Sequence, residues 1–73
     1  MRTALREARL ALGLTQEEVA RRAGIARNYY TEIERGATPS LGVALRIAEV
    51  LDVDPRVVFA DTMQAPRASR KSA

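Results

Sequence analysis

The sequence predicts an all-α fold, a compact domain of five helices in which the second and third form a helix-turn-helix. Three observations carry this expectation. Apolar residues recur at helical spacing and nowhere alternate at period two. The ends of the apolar segments carry capping chemistry and glycines. Residues 16–35 also hold small or apolar side chains wherever two short helices must cross steeply over a tight turn.

The elements follow in order. Leu5, Ala8 and Leu12 repeat at helical spacing until Gly13, which gives a first helix over about 2–12. Thr15-Gln16-Glu17-Glu18 is a capping box, with Thr15 as N-cap and Glu18 reaching back to its backbone N–H, so a second helix spans about 16–23. Gly24 supplies the left-handed conformation that a tight turn requires. The third helix covers about 26–34, with Ile25, Tyr30 and Ile33 inward, the Tyr30 hydroxyl at the edge and Gly36 as terminator. In the fourth, about 41–51, the apolar stripe is Leu41, Ala44, Leu45, Ala48 and Leu51. Asp54-Pro55 caps and opens a short fifth helix over about 55–61. The domain therefore spans 1–63, and the basic segment 64–73, which has no apolar face, is expected to be a disordered tail.

Composition narrows the function. A chain of 73 residues hides only about 60% of its unfolded surface, so pairing of subunits would add useful burial. With no Cys and no His there is no disulfide, no thiolate or imidazole metal site and no histidine base, which argues against an enzyme and against a metal or other cofactor. No small-molecule ligand is expected. No apolar run approaches the roughly 20 residues that cross a bilayer, and MRTALREARLALG alternates charge with apolar residues, so the reading is cytoplasmic with no membrane partner.

Charge is unevenly placed. Residues 1–48 hold eight Arg against five Glu, whereas 49–63 hold Glu49, Asp52, Asp54 and Asp61 against Arg56. The net +3 therefore equals the contribution of Arg67, Arg70 and Lys71 in the tail. A basic N-terminal two-thirds beside an acidic cap is the pattern of a surface that binds an anion on one side only.

Within this frame, LGLTQEEVARRAG followed by IERG and PSLGVALRIAEVLDV resembles the Cro and lambda-repressor (XRE-like) type of helix-turn-helix domain over about residues 5–60. RNYYTEIERG and VVF are most similar to short stand-alone regulators, including the controller proteins of restriction-modification systems. The resemblance implies a lambda-repressor-like, five-helix homodimer that acts on a pseudo-palindromic DNA operator as a repressor, an activator or both. It also implies a bacterial or phage-encoded protein, located at the nucleoid when bound to double-stranded DNA. An alternative function is an antitoxin that occupies a protein partner and also binds its own operator.

The third helix is the expected reader, because its outer face stays free once its neighbours are packed and a helix fits the major groove. Arg27, Asn28, Tyr29, Thr31 and Glu32 lie on or near that face. Arg27 suits guanine O6 and N7, Asn28 adenine N6 and N7, Glu32 cytosine N4, and Tyr29 a thymine methyl or a phosphate. The bland alternative is a solvated polar helix with Tyr29 packed over Ala26 or the end of the second helix. By resemblance Gln16 binds backbone phosphate from a helix N-terminus, and Arg9 with Glu34 forms an internal ion pair. Arg35, Thr38 and Ser40 are expected at phosphates on the other side of the reader. Ala26 stands where the family places a Ser or Thr cap, leaving Asn28, water or a DNA phosphate to satisfy those N–H groups. Val58 and Phe59 fold onto the fourth helix, and Val53, Val57 and Met63 are candidates for a dimer contact, or else seal the lower edge of a monomer.

Overall fold

Thr15 and Glu18 fix the firmest boundary in the chain. Glu18 N–H donates to Thr15 Oγ1 at 3.0 Å and Thr15 N–H donates to Glu18 Oε1 at 2.8 Å, so both halves of the capping box are made. The computed structural model describes residues 1–64, and the tail expected beyond residue 64 lies outside them. Six helices follow: α1 Thr3–Ala11, α2 Gln16–Ala23, α3 Arg27–Arg35, α4 Leu41–Leu51, α5 Pro55–Val58 and α6 Ala60–Gln64. The described residues contain no strand, and the fold is all-α.

Gly24 ends α2 with φ 74, and the Ile25 N–H returns to the Ala20 carbonyl at 2.9 Å. This left-handed residue swings the chain so that α3 crosses α2 over three residues. Ala20 and Ala23, both 2% exposed, allow the close approach. α2 packs on α3 and α4, while α1 packs on α3 and α5. The core between them is built from Leu5, Val19, Tyr30, Ile33, Ile47 and Phe59, each 0% exposed.

Three sequence expectations need correction. The fifth helix is two: Phe59 leaves helical geometry at φ −130 and ψ 45, which turns its ring into the core and starts α6 at Ala60. Among the described residues the five-helix count thus becomes six. The buried face of α4 is Ala44, Ile47, Ala48 and Leu51, while Leu41 and Leu45 are 51% and 45% exposed. Both sets satisfy i, i+3, i+4, i+7 spacing, so periodicity alone could not choose between them. Finally, Leu12 is exposed at the C-cap of α1, and Arg9 takes the buried position of that turn.

A second arginine joins the ends of the described chain. Arg2 Nη1 and Nη2 donate to Asp61 at 2.7 and 3.0 Å, Nη2 also donates to the Ala37 carbonyl at 2.9 Å, and Nε donates to the Ile33 carbonyl at 3.1 Å. Its guanidinium lies 5.1 Å from the Phe59 ring centroid, a cation–π distance. The clamp fastens α6 to the C-terminal end of α3.

Candidate nucleic-acid interface

α3 has two contrasting sides. Inward, Tyr30 and Ile33 are 0% exposed and Glu34 is 3% exposed. Outward, Arg27, Asn28, Tyr29 and Glu32 are all exposed, with Tyr29 at 37%. The tyrosine pair therefore divides, because adjacent helical residues point about 100° apart. Among the described residues, the one side-chain link within the outward group's reach is the Glu32–Arg35 pair at 3.6 Å, between two well-exposed groups.

Inward, five side chains from three helices form one polar network around Glu34. Arg9 Nε donates to Glu34 Oε2 at 2.6 Å and Arg9 Nη2 to Glu34 Oε1 at 3.3 Å. The Tyr30 hydroxyl donates to Oε2 at 2.7 Å, and Gln16 Nε2 donates to Oε1 at 3.0 Å. Thr31 Oγ1 then donates to Gln16 Oε1 at 2.9 Å, and Arg9 Nη1 closes on the Leu14 carbonyl at 2.9 Å. Burial alone would push the Glu34 carboxyl up, but the hydrogen bonds from Arg9, Tyr30 and Gln16 outweigh it and hold its pKa below the ordinary carboxylate value. Burial, with the bond to Glu34, drives the Tyr30 phenol well above its ordinary range. Glu34 is thus an anion at neutral pH, and Tyr30 is a donor to it.

The network locates several residues chosen from the sequence. Gln16 is half-buried and its amide is oriented at both ends, and among the described residues one Nε2 hydrogen has no acceptor. Thr31 is half-buried, and its hydroxyl hydrogen points to Gln16, away from the outer face of α3. The Tyr30 hydroxyl does not reach the edge as expected: it lies in the interior, where the Tyr30-to-Glu34 spacing of four puts both on one row of the helix. That spacing was the available signal for this contact. The link from Gln16 to Thr31 and Glu34 bridges two helices and had no local signal.

Elsewhere, Arg35, Thr38 and Ser40 are exposed, and Ser40 Oγ accepts the Val43 N–H at 3.3 Å as the cap of α4. Ala26 is extended at φ −71 and ψ 147, and α3 has no side-chain cap, so Asn28 does not serve as one. Among the described residues the first N–H groups of α3 thus have no side-chain cap. Two open clefts meet at Gln16. The larger, about 550 Å³, reaches Arg27 and Glu17; the smaller, about 240 Å³, reaches Arg6, Thr31 and Arg35. Of the candidate dimer residues, Val57 is 67% exposed, while Val53 and Met63 are half-buried against the core. Among the described residues no cluster of potential metal ligands exists, and no helix is long and apolar enough to cross a membrane.

Comparison with known proteins gives a consistent picture. Residues 5–58 match a helix-turn-helix family. The chain is 43% identical to an uncharacterised HTH-type transcriptional regulator of Bacillus subtilis (strain 168), YqaF, over 97% of this chain and 95% of that protein. It is 52% identical to an uncharacterised HTH-type transcriptional regulator of Methanothermobacter thermautotrophicus, over 70% of this chain and 75% of that one. A third, from Archaeoglobus fulgidus and similarly named, is 39% identical over 84% of this chain and 91% of the relative. No solved structure matches significantly.

Proposed function

The chain belongs to the helix-turn-helix family of Cro and lambda-repressor (XRE-like) type, and from that premise we propose that it is a DNA-binding transcription regulator acting as a homodimer on a pseudo-palindromic operator. The observation that carries this reading is the asymmetry of α3. Its inward side chains are buried and bonded within the fold, whereas Arg27, Asn28, Tyr29 and Glu32 stand outward together on a helix of groove-fitting size.

In this reading α3 lies in the major groove. Arg27 forks onto a guanine, Asn28 pairs with an adenine, Glu32 accepts from a cytosine, and Tyr29 meets a thymine methyl or a nearby phosphate. Thr31 has committed its hydroxyl hydrogen to Gln16, so any base contact it makes uses its methyl group or its oxygen as acceptor. Gln16 gives its spare amide hydrogen to a backbone phosphate. Arg35, Thr38 and Ser40 hold phosphates beyond the other end of the reader, and Ser40 can donate its hydroxyl hydrogen while still capping α4. Val53, Val57 and Met63 form the self-complementary contact that sets two copies of α3 about 34–36 Å apart. Repression or activation then depends on where the operator lies relative to the promoter.

Selection of bound sequences from a random duplex pool, followed by footprinting, tests the reading. A two-fold site is expected. On it, Arg27→Ala relaxes preference at one base pair by about 1–3 kcal/mol, while Gln16→Ala weakens all sequences alike. A pool that yields no enriched site, or equal losses on operator and random DNA for both variants, would overturn it.

A further inference from the structure

We propose that Arg6, on α1, is a DNA-contacting residue that takes a backbone phosphate in the smaller cleft beside Gln16. The inference rests on the reading of Gln16 as a phosphate ligand and extends it to a helix outside the helix-turn-helix. That cleft is lined by Met1, Arg6, Gln16, Thr31, Glu34 and Arg35, so arginines from two different helices share it with Gln16, whose amide is fixed by the network.

The electrostatics suit an anion. Arg6 is exposed, and among the described residues it has no carboxylate within ion-pair distance and no side-chain hydrogen bond. Arg35 is held only by the 3.6 Å pair with Glu32, whose exposed geometry makes it worth about 0–1 kcal/mol and easily exchanged for a phosphate. Glu34, the single carboxylate in the lining, is bonded to Arg9, Tyr30 and Gln16, and the adjoining Arg9 guanidinium balances its charge. The cleft therefore offers two uncommitted or weakly committed forks and one oriented N–H against a neutralised wall.

The position points to a nucleic-acid backbone as the source of the phosphate. Arg27, Thr31 and Arg35 occupy successive turns of one row of α3. Gln16 lines both this cleft and the larger one that contains Arg27. A strand that passes Gln16 from the larger cleft, where Arg27 stands, into the smaller one meets Arg6 there. Arginine suits this contact because its planar fork matches phosphate bidentately.

The full chain is titrated with operator and with random duplex by fluorescence anisotropy across a potassium chloride series, for wild type, Arg6→Ala, Arg6→Gln and Arg6→Lys. Gln16→Ala and Arg56→Ala are run beside them. Loss of one phosphate contact makes the negative slope of log affinity against log salt shallower by about 0.9, which amounts to about eightfold weaker binding at 0.1 M salt. Arg6→Ala and Arg6→Gln are expected to show this loss equally on operator and random DNA, and Arg6→Lys to keep most of the wild-type slope and affinity. Arg56, which does not line the cleft, should not matter. Thermal melts of the two neutral variants should match wild type, since alanine favours an exposed helix and glutamine keeps the length. Unchanged slope and affinity for both neutral variants while Gln16→Ala weakens binding overturns the proposal and leaves the reading of Gln16 intact. A loss confined to the operator overturns it as well. A normal Gln16→Ala titration instead refutes the reading on which the proposal was built.

Discussion

Replacing Arg9 by Met removes the guanidinium while keeping an apolar chain of similar reach, and it should be strongly destabilising. Glu34, 3% exposed in the wild type, would lose the 2.6 and 3.3 Å bonds from Arg9 and keep those from Tyr30 and Gln16. The Leu14 carbonyl would lose its donor too. Breaking a buried pair from one side costs about 3–5 kcal/mol; with two donors left on the carboxylate, the lower end applies. A domain of this size has only about 3–10 kcal/mol of total stability, and 3 kcal/mol corresponds to a fall of about 12–24 °C in Tm. Circular dichroism melts and urea titrations at neutral pH measure the loss directly.

The same variant should invert the response to acid. In the wild type the bonds to Glu34 outweigh its burial and depress its pKa. In Arg9→Met burial dominates and raises it, so protonation relieves the stranded charge and the variant gains stability as pH falls through the raised value. Arg9→Met/Glu34→Met, which removes both charges, should recover much of the loss. A cost below about 1 kcal/mol, or an acid response in the single variant with the wild-type sign, would refute the account of Glu34 as a buried anion held by Arg9.

Three further outcomes are expected. Because the folded-state pKa of Glu34 lies below its ordinary value of 4.5, the unfolded chain binds more protons below that pH, so wild-type stability should hold at neutral pH and decline as pH drops below about 4.5; urea midpoints across the acid range check this. Ala26→Ser supplies the cap that α3 lacks and should raise stability by about 1 kcal/mol, read as a higher melting temperature; an unchanged melt would mean that the new hydroxyl does not reach the helix N–H groups. Val57→Asp places a charge on an exposed apolar position of α5, so sedimentation or light scattering should show weaker self-association while the monomer's melt stays within about 0.5 kcal/mol of wild type; undiminished self-association would move the dimer contact elsewhere.

Where the chemistry is local, the sequence was legible. Thr15 with Glu18, Gly24 and Asp54-Pro55 mark helix ends through contacts spanning a few residues, so their spacing alone predicts both ends of α2 and the start of α5 closely. The buried face of α4 was not, because Leu41 and Leu45 obey the same periodicity as Ile47 and Leu51 and the choice rests on which side α2 occupies. The break at Phe59 follows from burial of one ring and has no glycine or proline to announce it. At the candidate site the outward residues of α3 could be read from helical geometry. The partners of Gln16 lie 15 and 18 residues away, and their meeting depends on the crossing of two helices.

The separation of α3 into a bonded inner side and an unbonded outer one bears on how such a protein can change over time. Because Arg27, Asn28 and Tyr29 contribute little to holding the helices together, substitutions there should mostly leave folding within about 0.5 kcal/mol. Target preference can then drift, or be redesigned by library selection, without a compensating change elsewhere in the domain. Gln16 and Thr31 are the counterexample within the same surface. Each is tied into the network around Glu34, so altering either one tests the scaffold and the contact together. A search for variants with new sequence preference should therefore randomise the first turn of α3 and Glu32, and leave Gln16 and Thr31 alone.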